Sequence, residues 1–147
     1  MDFKEVITDF ATRHNVSGLE AEEGTAALDI DGIVVFLLAV DGGMVLSAEI
    51  GEPPVEGKAA FADMLLESNL ESSAFFAKNH GTGKYMVARR LLFAMLSAES
   101  FDTALEGLVN MAETWKKLLE DFRPVATRAA AEKADVPSFG ADGFMQV

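Results

Sequence analysis

The 147-residue sequence contains no cysteine, which excludes disulfides, thiolate nucleophiles and cysteine metal ligands. It contains only two histidines, His14 and His80, and neither lies in a His-Glu-x-x-His frame, so we expect no bound metal. The longest apolar run has eight residues, far fewer than the roughly 20 that span a bilayer. The N-terminal residues lack the basic and apolar regions of a secretion signal. These absences predict a cytosolic protein in a reducing compartment that does not insert into membranes.

Basic residues are scarce in the first half of the chain. Residues 1–73 hold 3 Lys and Arg against 15 Asp and Glu, which gives −12, whereas residues 74–147 hold 9 against 9, which gives zero. A field of this sign repels nucleic acid and anionic membranes and speeds the encounter with a basic partner. A plainer interpretation is that a chain with 50% apolar residues needs charge to stay in solution. On either interpretation we expect no nucleic-acid partner.

Strings that resemble catalytic or ion-binding motifs are incomplete. Residues 80–85 resemble a phosphate-binding loop, but Lys78 replaces its first glycine and Tyr85 replaces the Ser or Thr that binds magnesium. Residues 29–32 resemble part of a calcium loop, but an alanine occupies the position of the first acidic ligand. No Gly-x-Ser-x-Gly string marks a serine nucleophile. The sequence therefore gives no support for an enzyme or for a cofactor.

The stretch from Ile33 to Val40 is apolar at every position and has Asp-Gly on each side. Because the side chains of a strand point alternately to its two faces, such a strand must be covered on both. Alternating stretches at residues 25–31 and 44–50 adjoin it through short turns, which predicts a three-stranded antiparallel meander. The sequence leaves open whether this chain supplies both covers or leaves one to another molecule.

Helical periodicity appears in three stretches. Residues 2–13 are amphipathic, residues 55–69 are apolar on more than one side, and residues 101–122 carry a long apolar stripe with Ser100 or Asp102 as N-cap. An all-round apolar helix indicates burial on two faces, as when a helix packs on its own sheet and on a second subunit.

Two further strand candidates, residues 73–78 and 84–92, flank a turn-rich connection and predict a β-hairpin. The resulting order is helix, three-stranded meander, helix, β-hairpin and long C-terminal helix, which is an α+β fold with an antiparallel sheet. This domain covers residues 1–122. Residues 123–147 form a C-terminal extension that is either a docking segment or a passive end; its spaced apolar residues are Phe139, Phe144, Met145 and Val147.

Together with this order of elements, three strings resemble the class I type III secretion chaperones, the Tir chaperone (CesT-like) family. They are Leu65-Leu66-Glu67-Ser68-Asn69-Leu70, Arg89-Arg90-Leu91, and Asn110-Met111-Ala112-Glu113-Thr114-Trp115-Lys116-Lys117-Leu118-Leu119. The resemblance covers residues 1–122. It implies a homodimeric, ATP-independent chaperone that binds the N-terminal segment of a secreted effector in extended form and keeps it soluble and export-competent.

The resemblance also implies two surfaces. The first helix and the early strands of the family bind the effector, which here points to Phe3, Ile7, Phe10, Leu28, Ile30, Val34, Phe36, Leu46 and Ala48. The second helix and a late strand form the dimer interface, which here points to Phe61, Met64, Leu65, Leu66, Leu70, Phe75 and Phe76. Since one sheet face must pack on the chain's own helices, we expect about half of these positions in the core.

Two other interpretations stay open. One is a regulatory or small-molecule-binding α+β domain without catalysis, which a closed pocket within one subunit would favour. The other is an acid/base enzyme, which a cleft holding two carboxylates with opposed pKa shifts would favour. The C-terminal extension has three candidate partners: a secretion export component, the effector, or the dimer itself.

Overall fold

The computed structural model describes residues 1–124, so nearly all of the predicted C-terminal extension lies outside the described residues. Helix α1 (Phe3–Arg13) precedes three strands, which are β1 (Thr25–Ile30), β2 (Ile33–Val40) and β3 (Gly43–Gly51). Helix α2 (Lys58–Ser68) is followed by β4 (Phe75–Lys78), β5 (Tyr85–Leu92), a 3-10 turn (Phe93–Met95) and helix α3 (Ala98–Glu120). The predicted α+β order of elements is confirmed.

The five strands form one antiparallel sheet with the spatial order β1-β2-β3-β5-β4. The β1–β2 hairpin closes through Asp31 and Gly32, whose φ angles of 52° and 88° suit the two left-handed positions of a type I′ turn. The Asp29 side chain accepts a 2.9 Å hydrogen bond from the Gly32 amide across this turn. The predicted meander and its tight turn are therefore confirmed, and β1 and β4 are the edge strands.

One face of the sheet, here called the inner face, is covered by helices. Helix α3 crosses it over β3 and β5, and α1 packs beside α3. Burial on this face is worth about 1.5–3 kcal/mol for each large side chain. The buried residues of β2 and β3 are Ile33, Val35, Leu37, Met44, Leu46, Ala48 and Ile50.

Helix α2 begins at Lys58, three residues later than its apolar pattern predicts. Its N-cap is Gly57 with a left-handed φ of 75°, a conformation that ends any helical continuation from Pro54. The turn is also tightly packed, because a Cβ at Gly57 would lie 2.9 Å from Phe122 and from Pro124. Tertiary contact with the end of the described chain therefore sets this boundary.

Helix α3 begins at Ala98, so the prediction that Ser100 or Asp102 caps it was wrong. Ser97 is the N-cap, and its side chain accepts a 3.1 Å hydrogen bond from the Ser100 amide. The Ser100 hydroxyl accepts a 2.8 Å bond from the Ser97 amide, which completes a capping box. Asp102 lies inside the helix and does not cap it, so its carboxylate can pair with side chains at the end of α1.

A charged cluster joins the end of α1 to the start of α3. Arg13 donates from its two Nη atoms to the two carboxylate oxygens of Asp102, at 2.6 and 2.9 Å, and from Nε to Asp9 at 2.7 Å. His14 Nε2 lies 2.8 Å from the same Asp102 carboxylate. Hydrogen bonding from Arg13 lowers the pKa of Asp102 below its usual range. The cluster fixes the α1–α3 angle with an ion pair that remains partly exposed.

Asp102→Asn is expected to lower the free energy of unfolding by about 1 kcal/mol at neutral pH, because solvent screens this partly exposed pair. The pKa of Asp102 is depressed in the folded state, so its contribution is present above the ordinary aspartate pKa and is lost as the pH falls through the folded-state value. Urea unfolding of both proteins at neutral pH and at a series of pH values below the ordinary aspartate pKa of about 4 measures this. The difference in stability should shrink progressively as the pH falls through this range, and a pH-independent difference would contradict the assignment.

Candidate functional site

The second face of the sheet, here called the outer face, is open. Val34, Phe36 and Leu38 alternate with the buried residues of β2 and are 42%, 44% and 49% exposed. The helices lie on the inner face, and no element within residues 1–124 covers these three side chains. The described chain therefore covers the central strand on one side and leaves its other side to solvent or to another molecule.

The register of the sheet places residues of all five strands in line with Phe36 on this face. Successive Cα partners place Ala27, Phe36, Ser47, Ala88 and Phe75 in one row across the five strands. Phe75 is 40% exposed at the β4 edge. The small side chains of Ser47 and Ala88 separate the two aromatic rings in this row.

The β1 edge adds hydrogen-bonding capacity and negative charge to the outer face. On its other side β1 is bonded at Thr25, which exchanges two backbone hydrogen bonds with Glu22, and the rest of that edge has no strand partner among residues 1–124. Exposed carboxylates flank this edge at Glu22, Glu23, Asp29 and Asp31. An extended segment carrying basic and apolar side chains would meet both backbone partners and opposite charge here.

A second apolar surface lies between α2 and β4. Leu66 is 64% exposed and Leu70 is 90% exposed. Beside Leu66, a groove of about 560 Å³ is lined by Ala59 and Ala62 of α2 and by residues of β4 and β5. Burial at the base of this groove raises the pKa of Tyr85. The groove is apolar with two lysines, Lys58 and Lys78, among its lining residues.

The residues that the resemblance assigned to effector binding separate into two groups. Val34 and Phe36 lie on the outer face and are exposed. The other seven lie on the core side: Phe3, Ile7, Phe10, Leu46 and Ala48 are buried, and Leu28 and Ile30 are half-buried against the core. The physical reason is that α1 has a single apolar stripe, and this stripe is needed to close the inner face.

The residues assigned to the dimer interface also separate. Leu66, Leu70 and Phe75 are exposed and Met64 is half-buried. Phe61, Leu65 and Phe76 are core residues. Phe61 stacks on Tyr85 with ring centroids 5.7 Å apart, and Phe76 packs on Trp115 at 4.7 Å. These rings hold α2 and β4 against the sheet; Phe76 and Tyr85 also line the groove between them, whereas Phe61 is fully buried.

Leu38 belongs to the outer face, although the sequence reasoning did not name it. The signal was present in the chain, because Val34, Phe36 and Leu38 are two residues apart in an apolar run and must share a face. The resemblance to the chaperone family assigned Val34 and Phe36 to the client-binding surface and did not include Leu38.

Within residues 1–124, no group of three or more His, Asp or Glu side chains is arranged to hold a metal ion. No helix in this range combines the length and the apolar composition needed to cross a bilayer.

Comparison with known proteins gives one family. The model of the Tir chaperone protein (CesT) family matches residues 5–116. The transcriptional anti-antiactivator ExsC of Pseudomonas aeruginosa is 31% identical over 121 residues, which cover 78% of this chain and 83% of ExsC.

Solved structures agree with this result. A chain of the ExsC-ExsE complex superposes with a TM-score of 0.70 at 26% identity and covers 81% of this chain and 97% of that one. The HopA1-SchA chaperone-effector complex contains a chain with a TM-score of 0.68 at 16% identity, with 78% and 93% covered. The Yersinia pestis type III secretion chaperone SycH, in complex with a fragment of YscM2, gives 0.63 at 24% identity, with 76% and 98% covered. The last two likenesses show the fold, and the family match with the ExsC relationship shows that this chain belongs to the Tir chaperone protein (CesT) family.

Proposed function

We propose that this chain is a cytoplasmic type III secretion chaperone. In this proposal a homodimer binds the N-terminal segment of an effector in extended form, keeps it soluble and export-competent, and catalyses no reaction. The observation that carries the proposal is the open outer face around Val34, Phe36 and Leu38 in a member of a chaperone family. A contiguous exposed apolar surface on a folded domain is typical of a site for another protein.

The geometry of the outer face favours an extended client. The row from Ala27 to Phe75 runs across the strands, and beyond Thr25 the β1 edge has no strand partner among residues 1–124. A client strand added at β1 gains main-chain hydrogen bonds and places alternate side chains over the sheet. Because ordering a flexible segment is costly, such binding needs a large surface, which a client wrapped over two subunits would provide.

The α2–β4 surface supports the dimer. Two exposed leucines and an apolar groove lie together on it, and solvent exposure of so much apolar area is unfavourable in an isolated subunit. Two-fold symmetry would bring the α2 helices of two copies together, so that Leu66 of each copy fills the groove of the other. The exposed residues Leu66, Leu70 and Phe75 carry this part of the proposal.

The relationship to ExsC favours a second candidate within the same binding chemistry. ExsC is a transcriptional anti-antiactivator, so this relative acts in gene regulation. The aligned region covers most of this chain and most of ExsC. A chain of this kind would use the outer face to hold a regulatory protein in place of, or in exchange with, a secreted one. The identity of the bound protein separates this candidate from a dedicated effector chaperone.

Capture from lysate of the source organism, followed by light scattering, tests the proposal. We expect two copies of the chain to hold one polypeptide in stoichiometric amount, through its N-terminal segment and without nucleotide. A captured export substrate supports the effector chaperone, whereas a captured transcriptional antiactivator supports the regulatory candidate. A monomer that retains only a small apolar molecule would contradict both and support the ligand-binding interpretation.

A further inference from the structure

A groove at one end of the sheet, here called the end groove, joins the outer face to α3. It has a volume of about 370 Å³ and lies where the β1–β2 turn, the end of β3 and the start of β5 meet. Val34 and Phe36 form its apolar side, and Lys84 and Lys116 supply positive charge. The end groove therefore shares two residues with the surface proposed for the client.

The charge of the end groove is only partly compensated. Lys84 Nζ lies 3.5 Å from Glu49 Oε2. Lys116 has no carboxylate within 4 Å among residues 1–124. In a chain with a net charge of −12, an apolar wall beside an unpaired lysine is a distinctive combination. The end groove therefore suits a segment that carries aromatic side chains for its apolar wall and an acidic side chain for the lysine.

The last turns of α3 pack beside this groove. Gly51 lines the end groove, and a Cβ on it would lie 2.8 Å from Leu119 Cδ2, so the last turns of α3 pack on this end of the sheet. Lys116 of the groove lies one turn before Leu119. Pro124 lies five residues beyond Leu119, against Gly57 at the start of α2, and 23 residues follow it.

The sequence of that segment matches the chemistry of the groove. Residues 134–147 contain no Lys or Arg, and Asp142 stands between Phe139 and Phe144. An extended linker from Pro124 to Phe139 reaches up to about 50 Å. A five-stranded sheet is only about 20–25 Å wide, so any point on the outer face lies within reach.

We propose that residues 139–145 dock in the end groove of their own chain. Phe139 and Phe144 pack against Val34 and Phe36, and Asp142 pairs with Lys116. Docking covers part of the apolar surface that residues 1–124 leave open.

Because Phe36 belongs to both surfaces, the segment and the client exclude each other there. This competition rests on the proposed function, whereas the docking itself does not. A tethered segment has an effective concentration near the millimolar range, so its removal should strengthen client binding about tenfold.

The absence of native cysteine allows a direct test in the full-length chain. Ala27 is exposed and is the Cα partner of Phe36, so Ala27→Cys with Ala141→Cys places two thiols at the predicted contact. The matched control pairs Ala141→Cys with Ala94→Cys, which is exposed at the opposite end of β3, near Gly42. Disulfide formation under mild oxidation is followed by electrophoretic mobility without reductant. The Ala27 pair should form its intrachain disulfide at least about tenfold faster than the control, and Lys116→Glu should remove most of that advantage.

Equal rates for the two pairs would overturn the docking proposal. A disulfide between chains in place of one within a chain would also overturn it, since the occupant would then be a second copy. The assay contains no client, so its failure leaves the proposed chaperone function standing. Conversely, a normal intrachain disulfide in a protein that captures no polypeptide would support docking and contradict the chaperone function.

Discussion

Phe36→Asp is expected to weaken client binding at least about thirtyfold while the chain stays folded. Phe36 is the aromatic residue of β2 in the row that crosses the sheet, between Ala27 and Ser47, and aromatic residues that anchor an interface often contribute about 2 kcal/mol or more. The substitution also places a charge where apolar side chains of the client would pack. Because the side chain is already 44% exposed in the free chain, we expect the free energy of unfolding to change by only about 0.5–1 kcal/mol.

Titration of the captured client segment into each purified protein measures the effect. Val55→Asp is the matched control, since Val55 is a fully exposed apolar residue that lies before α2 and outside the outer face. It adds the same charge at a different place, so it corrects for the general influence of net charge on affinity. Equal losses in the two variants, or no loss in Phe36→Asp, would place the client elsewhere.

The sequence predicts the order of elements well because strand and helix periods are strong in this chain. The run from Ile33 to Val40 predicted a strand that needs two covers, and the structure confirms that it lies in a sheet with one face packed. Periodicity cannot say which molecule supplies the second cover. An apolar residue facing a helix of its own chain and one facing a client have the same composition.

The burial of individual residues was harder to predict, and α2 illustrates the reason. Leu65 and Leu66 are adjacent and identical, yet one is 4% exposed and the other 64%. Each step along a helix turns the side chain by about 100°, so the difference depends only on how the helix is rotated over the sheet. A helix with apolar residues on several sides gives no pattern that fixes this rotation. Contacts distant in sequence, such as Phe61 on Tyr85 and Trp115, fix it instead.

Because of this rotation, α2 has one side that packs in the core and another that faces the proposed dimer interface, and substitutions can test the two sides separately. Leu66→Asp is expected to convert the proposed dimer into a folded monomer and to weaken dimerisation at least about a hundredfold, because it places two like charges in the apolar α2 interface. Leu65→Asp is expected to unfold the chain in either oligomeric state, because an unpaired charge would be buried against the sheet. The single change at Leu65 is therefore uninformative about the dimer, whereas the change at Leu66 is informative.

Light scattering gives the mass of each variant, and far-ultraviolet circular dichroism with thermal unfolding reports whether it is folded. Leu118→Asp is the matched control, since Leu118 is an exposed leucine on α3, outside the α2–β4 surface, and should leave the mass of the dimer unchanged. A dimer that persists in Leu66→Asp, or one that dissociates equally in Leu118→Asp, would contradict an interface on α2. A folded Leu66→Asp monomer would also show whether client binding needs two subunits. Its outer face remains intact, but a client could wrap over only one subunit and so over half of the distance that the dimer provides.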